Sequence, residues 1–198
     1  MTPDGKRVVI AGSTCSMVDA ETLGNPRTMT RFIDSGSPSA TDDGSVLAFN
    51  CLVPSGTGEK WAAMLVDGAT GAYLKTIIAG GTPSISSDGS RLVFKGATYK
   101  TYDVATGQLL SNIDQLNSWG VAPSADLKTL VGFAFARNEI HVFRTSEGVR
   151  TQVIIDDRFL GSMARCLSDD GSKLYLVQQG RIAVFKTSDW SMVQEIPV

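Results

Sequence analysis

The sequence predicts an all-β chain, and two observations carry that prediction. One is the segment "SISSDGSRLVF" at residues 84–94, which recurs with small changes at 39–49 and 166–176. The other is the form of the apolar segments, which are short runs such as "LVF" at 92–94 without the i, i+3, i+4 spacing of a helix. A short apolar run bounded by turn residues indicates a strand that is covered on both faces.

Five copies of one turn divide the chain. The anchors recur at intervals of 38 to 45 residues and are Asp4-Gly5, Asp43-Gly44, Asp88-Gly89, Asp126-Leu127 and Asp170-Gly171. Asp-Gly suits a hairpin turn because glycine accepts positive φ and aspartate bonds to the backbone that follows it. A period of this size indicates a solenoid or a propeller. We predict a single domain over 1–198, with repeats at roughly 1–36, 37–80, 81–117, 118–161 and 162–198.

Each repeat is predicted to contain four short strands. In the third repeat they are "TPSIS" at 82–86, the "LVF" run, a strand that ends at Asp103 and a strand that ends at Ile113. Four antiparallel strands per repeat are typical of a propeller blade, and blades that pack face to face explain middle strands that are apolar on both sides. The predicted fold class is therefore an all-β β-propeller of about five four-stranded antiparallel blades.

The segment 80–113, "GGTPSISSDGSRLVFKGATYKTYDVATGQLLSNI", resembles the YVTN-type β-propeller repeat in its Gly-x-x-Pro, Ser-x-Asp-Gly and Asp-x-x-Thr-Gly elements. WD-repeat proteins are wider relatives, but their Gly-His and Trp-Asp signatures do not occur here. The resemblance covers almost the whole chain. It is weaker in the first repeat, where "DAETL" lacks the glycine, and in the fourth, where "ADLK" and Arg144 replace Asp-Gly and the turn aspartate.

The ring of blades is expected to be incomplete. The chain begins at the first turn, so the first blade lacks its innermost strand, and nothing follows "DWSMVQEIPV" at 189–198 to supply it. An unpaired edge strand favours association. Three readings stay open: a piece of a larger ring, completion by self-association, and a five-bladed ring with a deficient seam.

Composition excludes several function classes. Net charge is −2 and the basic residues are scattered, whereas a nucleic-acid surface needs a basic stripe. No apolar run is long enough to span a bilayer, and the first residues lack the features of a signal peptide. The compartment is unknown, although the YVTN resemblance favours an extracytoplasmic one. Cys15, Cys51 and Cys166 form no disulfide framework, and we expect reduced, mostly buried thiols.

Catalytic and metal sites are hard to assemble from these residues. A Ser–His–Asp triad would need the single histidine, His141, which we expect on a strand face, meeting solvent or a carboxylate. The pairs Asp42-Asp43 and Asp169-Asp170 belong to turns, whereas Asp156-Asp157 lies in a connection that could supply oxygen ligands to Ca²⁺. We predict no catalytic residue, cofactor or metal; these observations lean against an enzyme and leave that question open.

A binding surface remains. The second repeat has 23 residues between its two turn anchors against 14 in the first and third, which predicts an enlarged loop at 50–61. Trp and Arg favour interface anchoring. The predicted rim residues are Lys60, Trp61, Trp119, Arg137, Asn138, Arg158, Phe159, Gln178 and Arg181. Trp190 is expected to cap the edge of the fifth blade.

The favoured function is a non-catalytic module within a larger protein or assembly that binds a protein or small ligand on this rim. Two alternatives stay open. The YVTN-type resemblance extends to lactonases and quinoprotein dehydrogenase subunits, which implies that the chain could be part of a propeller enzyme. The Ser/Thr/Gly-rich turns also permit a structural element of a cell surface.

Overall fold

The computed structural model describes residues 5–10, 14–31, 38–56, 58–96, 98–114, 120–134, 139–159, 164–178 and 180–198. These residues form five antiparallel sheets, which we call blades 1 to 5, and strands that are neighbours in a blade follow one another along the chain. Blade 1 has three strands and each of the others has four. Among the described residues, no helix is long and apolar enough to cross a membrane.

The strands of the first three blades are short, except in the second hairpin of blade 2. Blade 1 contains β1 (Arg7–Ile10), β2 (Thr14–Asp19) and β3 (Arg27–Arg31). Blade 2 contains β4 (Ser39–Ala40), β5 (Val46–Ser55), β6 (Gly58–Asp67) and β7 (Tyr73–Ile78). Blade 3 contains β8 (Thr82–Ile85), β9 (Arg91–Lys95), β10 (Tyr99–Asp103) and β11 (Leu109–Ile113).

The last two blades repeat the same order. Blade 4 contains β12 (Gly120–Pro123), β13 (Thr129–Ala134), β14 (Glu139–Arg144) and β15 (Val149–Ile155). A 3-10 helix, Asp157–Phe159, follows it. Blade 5 contains β16 (Ala164–Leu167), β17 (Lys173–Gln178), β18 (Arg181–Lys186) and β19 (Met192–Pro197). The predicted fold class is confirmed: an all-β chain of antiparallel blades, consistent with an incomplete propeller.

The chain divides into two compact units, Met1–Leu109 and Leu110–Val198. In the first unit, apolar side chains of adjacent blades meet in two clusters. Met17 of blade 1 packs with Leu47 and Phe49 of blade 2, and Leu65 of blade 2 packs with Phe94 of blade 3. The apolar faces of these blades are therefore buried between blades.

The second unit has one such cluster between blades 4 and 5. Val131, Phe133 and Ile140 of blade 4 pack with Leu176 and Phe185 of blade 5. Each burial of a large apolar side chain contributes about 1.5–3 kcal/mol. The contact between blades is thus the main source of core burial in this unit.

The Asp-Gly turn is held by the same hydrogen bonds in blades 2 to 5. In blade 3, Ser86 Oγ donates to Asp88 Oδ1 at 2.7 Å, and the amide of Ser90 donates to the same carboxylate at 2.9 Å. The amide of Arg91 donates to Ser86 Oγ at 2.9 Å, and Gly89 has φ of 72°. The corresponding carboxylates of the other three blades are Asp43, Asp126 and Asp170.

The fourth blade builds this turn without glycine. Leu127 adopts φ of 52°, while Ser124 Oγ and the amide of Lys128 still donate to Asp126. A left-handed backbone costs a non-glycine residue about 1–2 kcal/mol. The side chain of Leu127 is buried, and that burial offsets the cost.

The turn between the last two strands of each blade also keeps its geometry where the motif is lost. In blade 3 the amide and hydroxyl of Thr106 donate to Asp103 Oδ1 at 2.7 and 2.8 Å. In blade 4 an ion pair of 2.9 Å between Arg144 and Glu147 stands in place of these bonds. All five turns have a left-handed residue four positions after the anchor, namely Leu23, Gly71, Gly107, Gly148 and Trp190.

Trp190 is not the edge cap that the sequence suggests. Its side chain belongs to the apolar cluster of blades 4 and 5, and its Nε1 donates to Gln152 Oε1 of blade 4 at 3.1 Å. The prediction is wrong because the left-handed turn directs the indole towards the preceding blade.

The cysteines are only partly as expected. Cys51 is a buried free thiol, and burial raises its pKa, whereas Cys166 is a free thiol that is exposed on blade 5. The side chain of Cys15 lies outside the described part of the structure.

The turn carboxylates make the free energy of unfolding depend on pH at acidic pH. The pKa of Asp43 falls from 3.8 to about 2 because the Ser45 amide and the Thr41 hydroxyl donate to it, and Asp170 is shifted to about 2 by Ser168 and Ser172. A carboxyl whose folded pKa is depressed stabilises the fold fully above its unfolded pKa and loses that contribution as pH falls through the folded pKa.

We therefore expect the melting temperature to be level above about pH 5 and to fall between about pH 4 and pH 2. The double variant Asp43→Asn/Asp170→Asn should melt lower at neutral pH and show a smaller acid-dependent fall. Circular dichroism melts across this range measure it. The matched control is Asp42→Asn/Asp169→Asn, which changes the adjacent exposed carboxylates and should melt like the wild type. Equal acid-dependent falls in both double variants would contradict the role of the turns.

Replacing Trp190 by alanine should destabilise the protein by about 3–5 kcal/mol, because it empties part of the cluster between blades 4 and 5. Leu23→Ala is the control, since Leu23 has the same left-handed turn position but is 68% exposed. That control should change stability by less than about 0.5 kcal/mol. Urea unfolding of dilute protein measures both, and similar losses for the two variants would show that Trp190 does not join the blades.

Candidate binding surface

A two-stranded ribbon extends beyond the sheet of blade 2. Strands β5 and β6 pair continuously from Val46 opposite Asp67 to Ser55 opposite Gly58. The pairing of β7 with β6 reaches only Ala62, so the segments 52–55 and 58–61 continue as a ribbon past β7. The predicted enlarged loop is thus an extension of two strands.

The ribbon separates the two anchors that the sequence suggested there. Lys60 pairs with Val53, which packs with the cluster towards blade 1. Trp61 pairs with Leu52 and shares the opposite face with Ala63, a member of the cluster towards blade 3. Adjacent residues on a strand point to opposite faces. Lys60 and Trp61 are both exposed, but they cannot form one contact patch.

The face of Trp61 carries a further polar group at its base. Asn50 pairs with Ala63 and lies on the same face as Leu52 and Trp61. Its side chain is 7% exposed, and its Oδ1 has no hydrogen-bond partner among the described residues. An unsatisfied buried carbonyl costs about 1–3 kcal/mol. Trp61 itself is 37% exposed, so this face combines an accessible aromatic ring with a buried acceptor.

Three other predicted rim residues, Arg158, Gln178 and Arg181, meet in the second unit. Gln178 Nε2 donates to the carbonyl of Arg158 at 2.5 Å, and Arg181 Nε donates to Gln178 Oε1 at 2.8 Å. The hairpin of β17 and β18 is thereby joined to the connection that leads from blade 4 to blade 5. These three predicted residues therefore lie next to one another at this end of blade 5.

Two carboxylates complete this network. Arg158 Nε donates to Asp156 at 2.8 Å, and Arg181 NH1 donates to Glu195 at 2.8 Å. Hydrogen bonding from Arg158 lowers the pKa of Asp156, and the same contact raises the pKa of Arg158. Arg158 also stacks over the ring of Phe185 at 5.4 Å. With both guanidinium groups paired, the network is suited to holding the connection in place.

The structure describes no side-chain position for the remaining predicted rim residues. Trp119, Arg137 and Asn138 lie outside the described residues, and Phe159 ends the 3-10 helix with no described side chain. Asn50 and Glu195 were not predicted, and Asp156 was considered only as a possible Ca²⁺ ligand. A single buried amide or a surface carboxylate on a strand has no sequence signature that separates it from ordinary polar residues.

His141 occupies a strand face of blade 4 and contacts a carboxylate, as expected. Its Nε2 lies 2.9 Å from Glu139 Oε2, and Arg150 NH1 lies 3.5 Å from its Nδ1. Both His141 and Glu139 side chains are 17% exposed. The pair could transfer a proton at the surface, but no serine or cysteine nucleophile is recorded in contact with His141 within the described residues.

The adjacent carboxylates do not gather into a metal site. Asp43 and Asp170 accept the hydrogen bonds of their turns, and Asp156 is taken up by Arg158. Within the part of the chain that the structure describes, no group of three or more His, Cys, Asp or Glu residues could hold a metal ion.

Comparison with known proteins identifies the fold alone. No protein-family model matches the chain, and no curated protein sequence matches it. Among solved structures, 1045 chains match, and one is hydrazine synthase of Kuenenia stuttgartiensis, a propeller-containing protein. It superposes with a TM-score of 0.62 at 18% sequence identity, over 100% of this chain and 64% of that chain. The chain therefore spans less than two thirds of the length of this structural neighbour.

Proposed function

We propose that this chain is a non-catalytic β-propeller repeat module that binds a protein partner through the Trp61 face of the β5–β6 ribbon. The observation that carries the proposal is the exposed Trp61 ring on a ribbon that continues past its own sheet. Tryptophan is among the residues that most often dominate binding energy at interfaces. A ribbon that leaves the body of the blade also offers strand edges to a partner.

Asn50 supports a polar component of the same contact. Its buried Oδ1 lacks a donor among the described residues, and an N–H of a partner peptide lying along Leu52 and Trp61 would supply one. An extended peptide segment is the partner chemistry that fits best, because it brings both backbone donors and apolar side chains.

We further propose that the repeats are of the YVTN type. The Ser-x-Asp-Gly segment at 86–89 and the Asp-x-x-Thr-Gly segment at 103–107 both use their polar residues in turn hydrogen bonds. This pattern supports the motif assignment, and it concerns the fold, since turn motifs carry no information on ligands.

The binding proposal predicts that Trp61→Ala weakens capture of selected peptides by about thirtyfold, the effect of removing an interface anchor worth about 2 kcal/mol. Peptides are first selected from a displayed random library against the immobilised wild-type chain. Their affinities for the wild type and for each variant are then measured by biolayer interferometry, with thermal melts to check folding.

Two controls make the result specific. Tyr73→Ala removes another exposed aromatic ring from blade 2 outside the ribbon and should bind normally. Lys60→Ala changes the opposite ribbon face and should have a small effect. Peptides that bind Trp61→Ala as tightly as the wild type, or a library that yields no binder, would contradict the proposal.

A part of a propeller enzyme is the second candidate, and the contact between His141 and Glu139 is the observation that favours it. A carboxylate that orients a histidine supports proton transfer. Turnover of lactones or aryl esters by the wild type, abolished in His141→Gln and kept in Trp61→Ala, would favour this candidate. Absence of turnover across such a panel is what the binding module predicts.

A further inference from the structure

The Trp61 face of the ribbon carries a single charged side chain. Among the described residues of the ribbon, the charged ones are Glu59 and Lys60. Glu59 pairs with Pro54 and comes two positions before Trp61, so it lies on the face of Trp61, whereas Lys60 lies on the opposite face. The ribbon therefore presents a negative charge beside the exposed indole and places its positive charge on the other side.

The carboxylate of Glu59 is available to an external cation. The residue is exposed, and within the described part of the chain its side chain accepts no hydrogen bond and forms no ion pair. Asp43 and Asp67 of the same blade, by contrast, accept hydrogen bonds from the amides of Ser45 and Thr70 in their turns. Glu59 therefore holds no turn of its own blade together, and its charge can serve a partner.

Trp61 and Glu59 stand at a spacing that one guanidinium group can bridge. Alternate residues of a strand are about 7 Å apart, and a cation attracted to an aromatic face lies within about 6 Å of the ring centre. A guanidinium group above the indole of Trp61 is therefore within reach of the Glu59 carboxylate. Arginine suits both contacts, because its planar group stacks on a ring and donates two parallel hydrogen bonds to a carboxylate, whereas the ammonium of lysine is a compact point charge.

The other strand of the ribbon supplies an apolar path to this pair. Leu52 pairs with Trp61 and is half-buried, and Pro54 pairs with Glu59. Below them on the same face lies Asn50, whose buried Oδ1 has no donor among the described residues. A peptide that donates an N–H to Asn50 can lay the stem of an arginine along Leu52, so that the charged head lies between the indole and the carboxylate.

The connection from blade 2 to blade 3 leaves open space at the base of the ribbon. Strand β7 ends at Ile78, which pairs with Ala62 where the ribbon begins, and the residues that follow include Gly80 and Gly81. A methyl group in place of a Gly80 hydrogen would meet no heavy atom within 4 Å beyond its chain neighbours. A peptide backbone can therefore approach this end of the Trp61 face.

We propose that the Trp61 face binds an extended peptide through an arginine side chain, which stacks on the indole of Trp61 and donates hydrogen bonds to the carboxylate of Glu59. The inference rests on the proposed function, because it specifies the partner of the same face. Charge selects this occupant: the face offers the acceptors of Asn50 and Glu59, and no described ribbon residue places a cation on it. A peptide with lysine or an uncharged apolar residue at this position binds more weakly.

Peptide selection tests the chemistry of the partner. A displayed random library is selected in parallel against the wild type and against Glu59→Lys, and the bound peptides are sequenced. Arginine should be enriched over lysine at one position of the wild-type peptides, and an acidic residue should replace it in peptides that bind Glu59→Lys. Glu21→Lys makes the same charge change on an exposed residue of blade 1 and should select the same peptides as the wild type.

Affinities measured by biolayer interferometry test the contact itself. Replacing the selected arginine by citrulline, its uncharged planar analogue, should weaken binding to the wild type by about tenfold, and Glu59→Gln should weaken binding of the arginine peptide by about threefold. The two changes should not be additive, because they remove the same contact. Raising the salt concentration should weaken binding to the wild type more than binding to Glu59→Gln.

The outcomes separate this inference from the proposed function. Peptides that depend on Trp61 but show no preference for arginine, or that bind Glu59→Lys as tightly as the wild type, would overturn the arginine contact and leave the Trp61 face as the binding surface. Binding that is unchanged in Trp61→Ala, or a library that yields no binder, would overturn both. The Glu59 and Glu21 variants should melt like the wild type, since both side chains are exposed.

Discussion

The fold depends on one packing constraint: a blade of short strands cannot shield both of its apolar faces by itself. Leu65 and Phe94 meet between blades 2 and 3, and Phe133 and Leu176 meet between blades 4 and 5. Where a neighbouring blade is absent, the apolar side chains lose the dispersion energy of close packing. They also lose the free energy gained by moving apolar surface out of water. The repeated turns serve this constraint because they fix the direction in which each strand presents its apolar residues.

The turns also explain why the repeat tolerates so much change. Leu127 and Trp190 adopt the left-handed backbone that glycine adopts in other blades, and each side chain is buried. What is kept between repeats is the backbone angle, and in the Asp-Gly turns of blades 2 to 5 also the carboxylate acceptor. The residue type is free to vary where packing offsets the strain. One consequence is that a turn residue can acquire a second role in the contact between blades, as Trp190 has.

Much of the fold could be predicted from the sequence, because the repeat period, the short apolar runs and the turn residues are local signals. The all-β class, the blades and the three-stranded first blade follow from them. The longer spacing between the turn anchors of the second repeat predicts a loop, whereas in the structure the pairing of β5 and β6 extends through these residues. The direction of Trp190 depends on a contact between blades, which no local pattern encodes. Nor does a local pattern show that Asn50 Oδ1 is buried without a hydrogen-bond partner among the described residues.

Amide hydrogen exchange measured blade by blade tests the central constraint most directly. The account predicts that the middle-strand segments Ala62–Val66 and Leu130–Phe133 exchange far more slowly than the outer strands β7 and β15, because covering on both sides suppresses local opening. Middle strands that exchange as fast as the outer strands would contradict the account, since they would behave as separate sheets without neighbours.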